Sequence, residues 1–192
     1  MARQDLPVTS FALLGLLALG GPEATGLSGY ELKQRADNTM RFYWTAPAMS
    51  QVYSELARLT ELGLVFAGAG PDRRSTTYTI SPDGRAALRG WLEQPAGFPV
   101  FKHPVALRLM IGNLADPAAT RSMLEQYLGE LGEQRADLAD VRRSLAGADG
   151  PGEVFYHPSL VADWGLAHFA SEEEIARDVL RRLDGSSTMP VT

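Results

Sequence analysis

The 192-residue chain has no cysteine. That excludes disulfide scaffolds, cysteine-ligated zinc, iron–sulfur clusters and thiol nucleophiles. Long hydrophobic runs are missing as well. The longest is Phe11 to Leu19, nine residues, whereas a membrane-spanning helix needs about 20. No basic segment with a small-residue cleavage site precedes it, so no signal peptide is expected. The expectation is a soluble, cytoplasmic protein without a membrane partner. Enzyme motifs are scarce: there is no G-x-x-x-x-G-K-[ST] loop, no G-x-G-x-x-G after a strand and no G-x-S-x-G elbow. The three histidines, His103, His157 and His168, do not pair at helical spacing, so no metal site is written locally. The run Glu172, Glu173, Glu174 reads as a solvated face. Neither an enzyme, a cofactor nor a metal is expected.

Charge of one sign is also lacking in the first half. Residues 1–94 hold nine basic and nine acidic side chains, while residues 95–192 hold nine and fourteen, so the whole net charge of −5 lies in the second half. Such asymmetry points to two functional halves. A neutral half can still carry a basic face, and local potential is what steers binding.

The apolar share of 45% is that of a folded chain. Thr9 or Ser10 is positioned to cap a first helix that is apolar all round and therefore buried; Gly20, Gly21 and Pro22 end it. A short amphipathic helix follows from Ser28 through GYELKQRADNTM. Pro47 sits near the first turn of a third helix, where its missing N–H costs nothing. Val52, Leu56, Leu59 and Leu62 then recur with a helical period, and Gly63 is a suitable C-cap. LVFAG and TTYTI read as strands joined by AGPDRRS, a hairpin with two arginines near its tip. Ser81 and Pro82 open a fourth helix carrying Ala86, Leu88, Trp91 and Leu92. Three helices and a hairpin in this order make a winged helix-turn-helix.

The segment 94–101, with two prolines and a glycine, marks a boundary. The expected fold is mainly α: an α+β winged helix-turn-helix over 1–94, then an all-α helical domain over 95–192. The second part reads as helices over 104–114, from Asp116-Pro117 to near Gly147, and from about Pro158 to Leu183. Leu124, Leu131, Leu138 and Leu145 recur every seven residues, with Leu128 beside them. That spacing predicts a coiled-coil seam between two copies, the alternative being an amphipathic helix that packs inside one chain, with Trp164, Ile175 and Val179 of the last helix adding to dimerisation. Arg135 and Arg142 on the same stripe would need acidic partners.

In a winged helix the third helix enters the major groove and the wing reaches the minor groove or the backbone. With Val52, Leu56 and Leu59 inward, Ser50, Gln51, Ser54, Glu55 and Arg58 face out. Gln51 suits adenine and the serines suit base edges or phosphates. Tyr53 lies between the faces, its ring packing and its hydroxyl reaching a phosphate. Arg58 suits phosphate, and Arg73 and Arg74 suit a narrow minor groove. Lys33, Arg35 and Arg41 are candidates for further backbone contacts. The expected partners are double-stranded operator DNA and a second copy of the chain. The neutral first half leaves a second reading open: a winged-helix module that binds another protein and not specific DNA.

These residues also carry a resemblance. SFALLGLLAL, GYELKQ, WTAPAMSQVYSELARLTELGLV and TTYTISPDGRAALRGWL, in this order over residues 9–92, resemble the PadR family of transcriptional regulators. LVADWGLAHFASEEEIARDVLRRL, residues 160–183, resembles the last helix of its longer members. The resemblance implies a homodimeric repressor with an N-terminal winged helix and a C-terminal dimerisation domain, released from DNA by a small aromatic or amphipathic molecule. It puts Ser50, Gln51, Tyr53 and Ser54 on the recognition-helix motif and Arg73, Arg74 and Thr76 on the wing. Where many members have proline after the tyrosine, Ser54 stands here. No pocket residues transfer. Read from the residues, an effector cleft between the domains is expected to draw on Tyr43, Trp44, Trp91, Phe98, Phe101, His103, Met110, Tyr156, His157, Trp164 and His168.

Overall fold

A computed structural model describes residues 6–19, 26–70, 75–100 and 102–186, with the side chains of 185 and 186 excepted. The chain divides into two compact units, Met1–Gly97 and Phe98–Thr192.

The first unit is built on α1 (Val8–Ala18), whose Phe11, Leu13, Leu14, Leu16 and Leu17 are all buried. Its N-cap is Pro7, not Thr9 or Ser10. Ser10 lies inside the helix, fully buried, because its hydroxyl is used elsewhere. A two-residue strand, β1 (Leu27–Ser28), leads into α2 (Gly29–Thr39). Ser28 caps α2 through a reciprocal pair: Ser28 Oγ accepts from the Glu31 N–H at 3.2 Å, and Glu31 Oε2 accepts from the Ser28 N–H at 2.7 Å. The Ser28 N–H, and after it the Ser28 hydroxyl donating to the same oxygen at 2.7 Å, hold the Glu31 carboxyl below its usual range.

Helix α3 (Met49–Glu61) is followed by β2 (Val65–Ala69), β3 (Thr76–Ile80) and α4 (Pro82–Leu92). The three strands form an antiparallel sheet in the order β1-β3-β2. The β1 pairing, Leu27 opposite Tyr78, adds a strand that two residues of sequence could not announce. Gly63, with φ of 71°, turns the chain out of α3. Ser81 closes the junction beyond the hairpin. Its Oγ donates to the Gly63 carbonyl at 2.7 Å and accepts from the Gly84 N–H at 3.0 Å. Val52, Leu56 and Leu59 complete the core with Leu32, Ala36, Leu64, Val65 and Ile80. Trp91 stacks on Phe11 at 4.9 Å.

The second unit has α5 (Pro104–Met110), a 3₁₀ turn (Gly112–Leu114), α6 (Pro117–Ser144) and α7 (Tyr156–Ser186). The two long helices form an antiparallel hairpin. Three ion pairs run across it: Arg121 with Asp184, Arg135 with Glu173 at 3.4 Å, and Arg142 with Asp163 at 2.8 Å. This packing corrects the expected seam. Leu124, Leu131 and Leu138 are 1%, 6% and 1% exposed within a single chain, so a second copy has nothing left to cover there. Period seven marks an apolar stripe, and α7 of the same chain is what buries it. Leu128 and Leu145 are half-buried, and Leu145 is the C-cap residue of α6. The acidic run is corrected too. Only Glu174 is exposed; Glu173 is buried, with Arg135 and Arg177 on its carboxylate, and Glu172 is half-buried.

Candidate nucleic-acid interface

Helix α3 presents two faces of opposite character. Val52, Leu56 and Leu59 are fully buried. Ser50, Gln51, Tyr53, Ser54 and Ala57 are exposed and share the other side. The sequence reading missed Ala57, because a small apolar residue on an outward face carries no polar signal. Against DNA such a methyl group suits the thymine methyl.

Four of the expected contact residues are therefore brought together, and Gln51, Tyr53 and Ser54 each have a local engagement. Gln51 Oε1 accepts from the Ala48 N–H at 2.9 Å, which caps the first turn. Ala48 has no polar side chain, so only this half of a capping box exists. Ser54 Oγ donates back to the Gln51 carbonyl at 3.1 Å. The Tyr53 ring lies against the start of α2: a Cβ added at Gly29 would stand 2.5 Å from Tyr53 Cε1. Only glycine permits this approach, which leaves Tyr53 48% exposed with its ring held.

Arg58 is placed differently. Its guanidinium turns toward α1, where Nη2 donates to Glu55 Oε1 and to Ser10 Oγ, both at 2.6 Å, and Nε donates to Glu55 Oε1 at 3.1 Å. Ser10 Oγ also donates to Glu55 Oε1. This cluster ties α1 to α3 and explains why a serine sits in an apolar helix: a buried hydroxyl without partners would be costly. Lys33 is paired with Asp37 one helical turn on, and Arg35 Nη1 donates to the Leu16 carbonyl at 3.4 Å. Arg41 is exposed, 4.6 Å above the Phe42 ring. In the wing, Ala69 stands opposite Thr76, which is exposed, and the Gly70 N–H donates to the Ser75 carbonyl at 2.8 Å. Arg73 and Arg74 lie outside the described residues, as does Phe101.

The expected effector residues have different surroundings within their own units. Trp91 is engaged with Phe11 in the first unit's core, while Tyr43 is half-buried and Trp44 exposed. Phe98, Met110, His157, Trp164 and His168 are exposed, and Tyr156 packs edge-on against His157. His103 alone of these lines a described cavity, within the second unit, together with Tyr127 and Glu172. Tyr127 and Glu172 had no sequence signal, being 45 residues apart on two helices. Among the described residues no group of three or more histidines or carboxylates is placed to hold a metal ion, and no helix is long and apolar enough to cross a membrane.

The fold is shared with solved PadR-like transcriptional regulators. The PadR-like transcriptional regulator BC1756 from Bacillus cereus superposes with a TM-score of 0.77 at 18% identity, over 95% of this chain and 99% of that one. Bacillus subtilis PadR in complex with operator DNA gives 0.78 at 20% identity, over 92% and 99%. The same Bacillus subtilis protein has been solved with p-coumaric acid, with a TM-score of 0.75 at 21% identity over 93% and 99%. In sequence, a probable transcriptional regulator of Mycobacterium tuberculosis, Rv1176c, is 36% identical over 73 residues, which span 35% of this chain and 37% of that protein. No family model matches.

Proposed function

We propose that this chain is a homodimeric, PadR-like transcriptional repressor that acts in the cytoplasm and binds operator DNA through α3 and the wing. The carrying observation is the outward face of α3, with Ser50, Gln51, Tyr53 and Ser54 exposed on a helix anchored by Val52, Leu56 and Leu59. The fold shared with a protein solved on operator DNA supports it. In this reading Ser50, Gln51 and Ser54 meet base edges, and the Tyr53 hydroxyl, Thr76 and Lys33 meet the backbone. Arg73 and Arg74 supply the wing's charge. Arg58 acts from behind, holding α3 on α1.

Residues 1–94 serve as the DNA-binding domain and residues 95–192 as the dimerisation and effector domain. Once the leucine stripe is spent inside the hairpin, other apolar groups are left for the second copy. Leu107 is 58% exposed, Met110 74%, Leu114 90% and Trp164 69%, with Leu160, Val161 and Ile175 also open. Apolar surface of this kind on a folded domain marks an interface. A two-fold dimer would meet half-sites about 34 Å apart on one DNA face. A small aromatic or amphipathic effector releases the DNA by favouring another spacing of the recognition helices. The p-coumaric acid complex of Bacillus subtilis PadR supports an effector of this size.

The test is a fluorescence-anisotropy titration against the DNA upstream of the chain's own gene, with a random duplex as reference. Specific binding about a thousandfold tighter than to the random duplex is expected. Replacing Arg73 and Arg74 by alanine should flatten the salt slope by about 1.8, two phosphates at about 0.9 each. Equal, weak binding to both duplexes, repeated in a selection from random DNA, refutes the reading.

A further inference from the structure

We propose that the half-open cavity lined by α5, α6 and α7 in the second unit binds a small hydrophobic amine. The inference deepens the effector reading and rests on the proposed function only for its consequence, the release of DNA. The cavity has a volume of about 260 Å³. Leu109, Leu124 and Val179 give it apolar walls, and His103, Tyr127 and Glu172 form its polar end. Drug-sized sites run from about 300 to 1,000 Å³. A single ring with a short arm is the size that fits.

The polar end has a definite hydrogen-bond direction. The Ala106 N–H donates to His103 Nδ1 at 3.1 Å, which also caps α5. The ring proton therefore sits on Nε2, which is 2.9 Å from Tyr127 Oη. The Tyr127 hydroxyl in turn donates to Glu172 Oε2 at 3.1 Å, and His103 Nε2 is 3.3 Å from the same oxygen. Every proton in the chain points toward Glu172. Burial, with the Glu172 charge next, pushes the Tyr127 phenol well above its usual range, so it remains a donor. The chain thus ends on a carboxylate whose side chain is only 14% exposed.

A carboxylate accepts several hydrogen bonds and offers none. It receives the tyrosine at Oε2, with the histidine ring beside the same oxygen, and a ligand donor would complete its set. The neighbouring groove holds Arg108 and Glu130, one charge of each sign, so it does not offset Glu172. An ammonium group is attracted to this end, and an aromatic acid would bring a second negative charge to it. Ring and amine together match both parts of the cavity, where a sugar or a phosphate matches neither.

The test compares three ligands of nearly one shape by calorimetry with the full-length protein: phenethylamine, 2-phenylethanol and 3-phenylpropanoate. The amine should bind tightest and the propanoate at least tenfold more weakly. Glu172→Gln keeps the acceptor but removes the charge, and should cost the amine roughly tenfold to a hundredfold, the difference a charge-assisted bond makes. Val179→Phe fills the cavity and should abolish binding whether or not the glutamine variant folds. Propanoate binding as tight as amine binding overturns the proposal. So does an unaltered amine affinity in a folded Glu172→Gln protein, or the absence of any binding at millimolar ligand. The anisotropy titration run alongside separates the two readings. DNA binding without amine binding removes this site and leaves the regulator, and amine binding without DNA binding does the reverse.

Discussion

Replacing Gly84 and Gly90 by alanine, one at a time, should move stability in opposite directions although both lie in α4. A Cβ on Gly84 would stand 2.1 Å from the Leu64 carbonyl oxygen and 2.9 Å from Ile80 Cγ1. Backbone has to shift to relieve the first contact. The Leu64 oxygen also accepts the Ser81 N–H at 3.0 Å, so moving it loosens the junction that seats α4. Overpacking of this kind costs about 1–3 kcal/mol. Alanine recovers about 0.5–1 kcal/mol of backbone entropy relative to glycine. The net expectation is a loss of up to about 2.5 kcal/mol, and with about 4–8 °C per kcal/mol for a domain of this size the melting point falls by up to about 20 °C. At Gly90 a Cβ meets nothing within 4 Å. There only the entropy gain acts, and the melting point rises by about 2–8 °C. Thermal melts followed by far-ultraviolet circular dichroism read both. A Gly84→Ala protein that melts at or above the wild type would refute the reasoning, because the close approach of α4 to Leu64 would then carry no cost.

Two further outcomes are expected. Leu138→Ala opens a cavity between α6 and α7 at a residue 1% exposed and should cost about 2–5 kcal/mol in urea unfolding; a loss below about 1 kcal/mol would mean that the hairpin does not bury its own stripe. Stability should hold above pH 5 and fall on acidification, since Glu31, bonded to Ser28, and Asp149, bonded first to Arg142, both titrate below their ordinary 4.5 and 3.8 in the folded chain. Groups lowered by folding stabilise it above those values and lose that contribution as the pH drops through the folded ones, so urea midpoints of Glu31→Gln should decline less steeply with acid than those of the wild type, and parallel curves would count against it.

Much of the first unit is legible in its residues. The all-round apolar run of α1, the stripe Val52, Leu56, Leu59 and the turn-rich segment before TTYTI each bury or turn for local reasons. What was not legible depends on partners far along the chain. Ser10 reads as a cap because a serine before an apolar run usually is one; its actual partners, Glu55 and Arg58, lie about 45 residues on. A period of seven states that a leucine stripe exists but not which helix covers it. Arg135 and Arg142 held the clue, since both find their acids on α7 of the same chain. Outward position along α3 was readable, whereas engagement was not: Gln51 caps the first turn of its own helix, and Arg58 turns to Glu55 and Ser10.

The α6–α7 hairpin closes its leucine seam within one polypeptide. Closure is unimolecular, so dilution does not open it, and its partners are always at hand on the same polypeptide. In the proposed dimer, Leu107, Leu114 and Trp164 would set its strength, since all three are exposed and stand outside the buried leucine stripe.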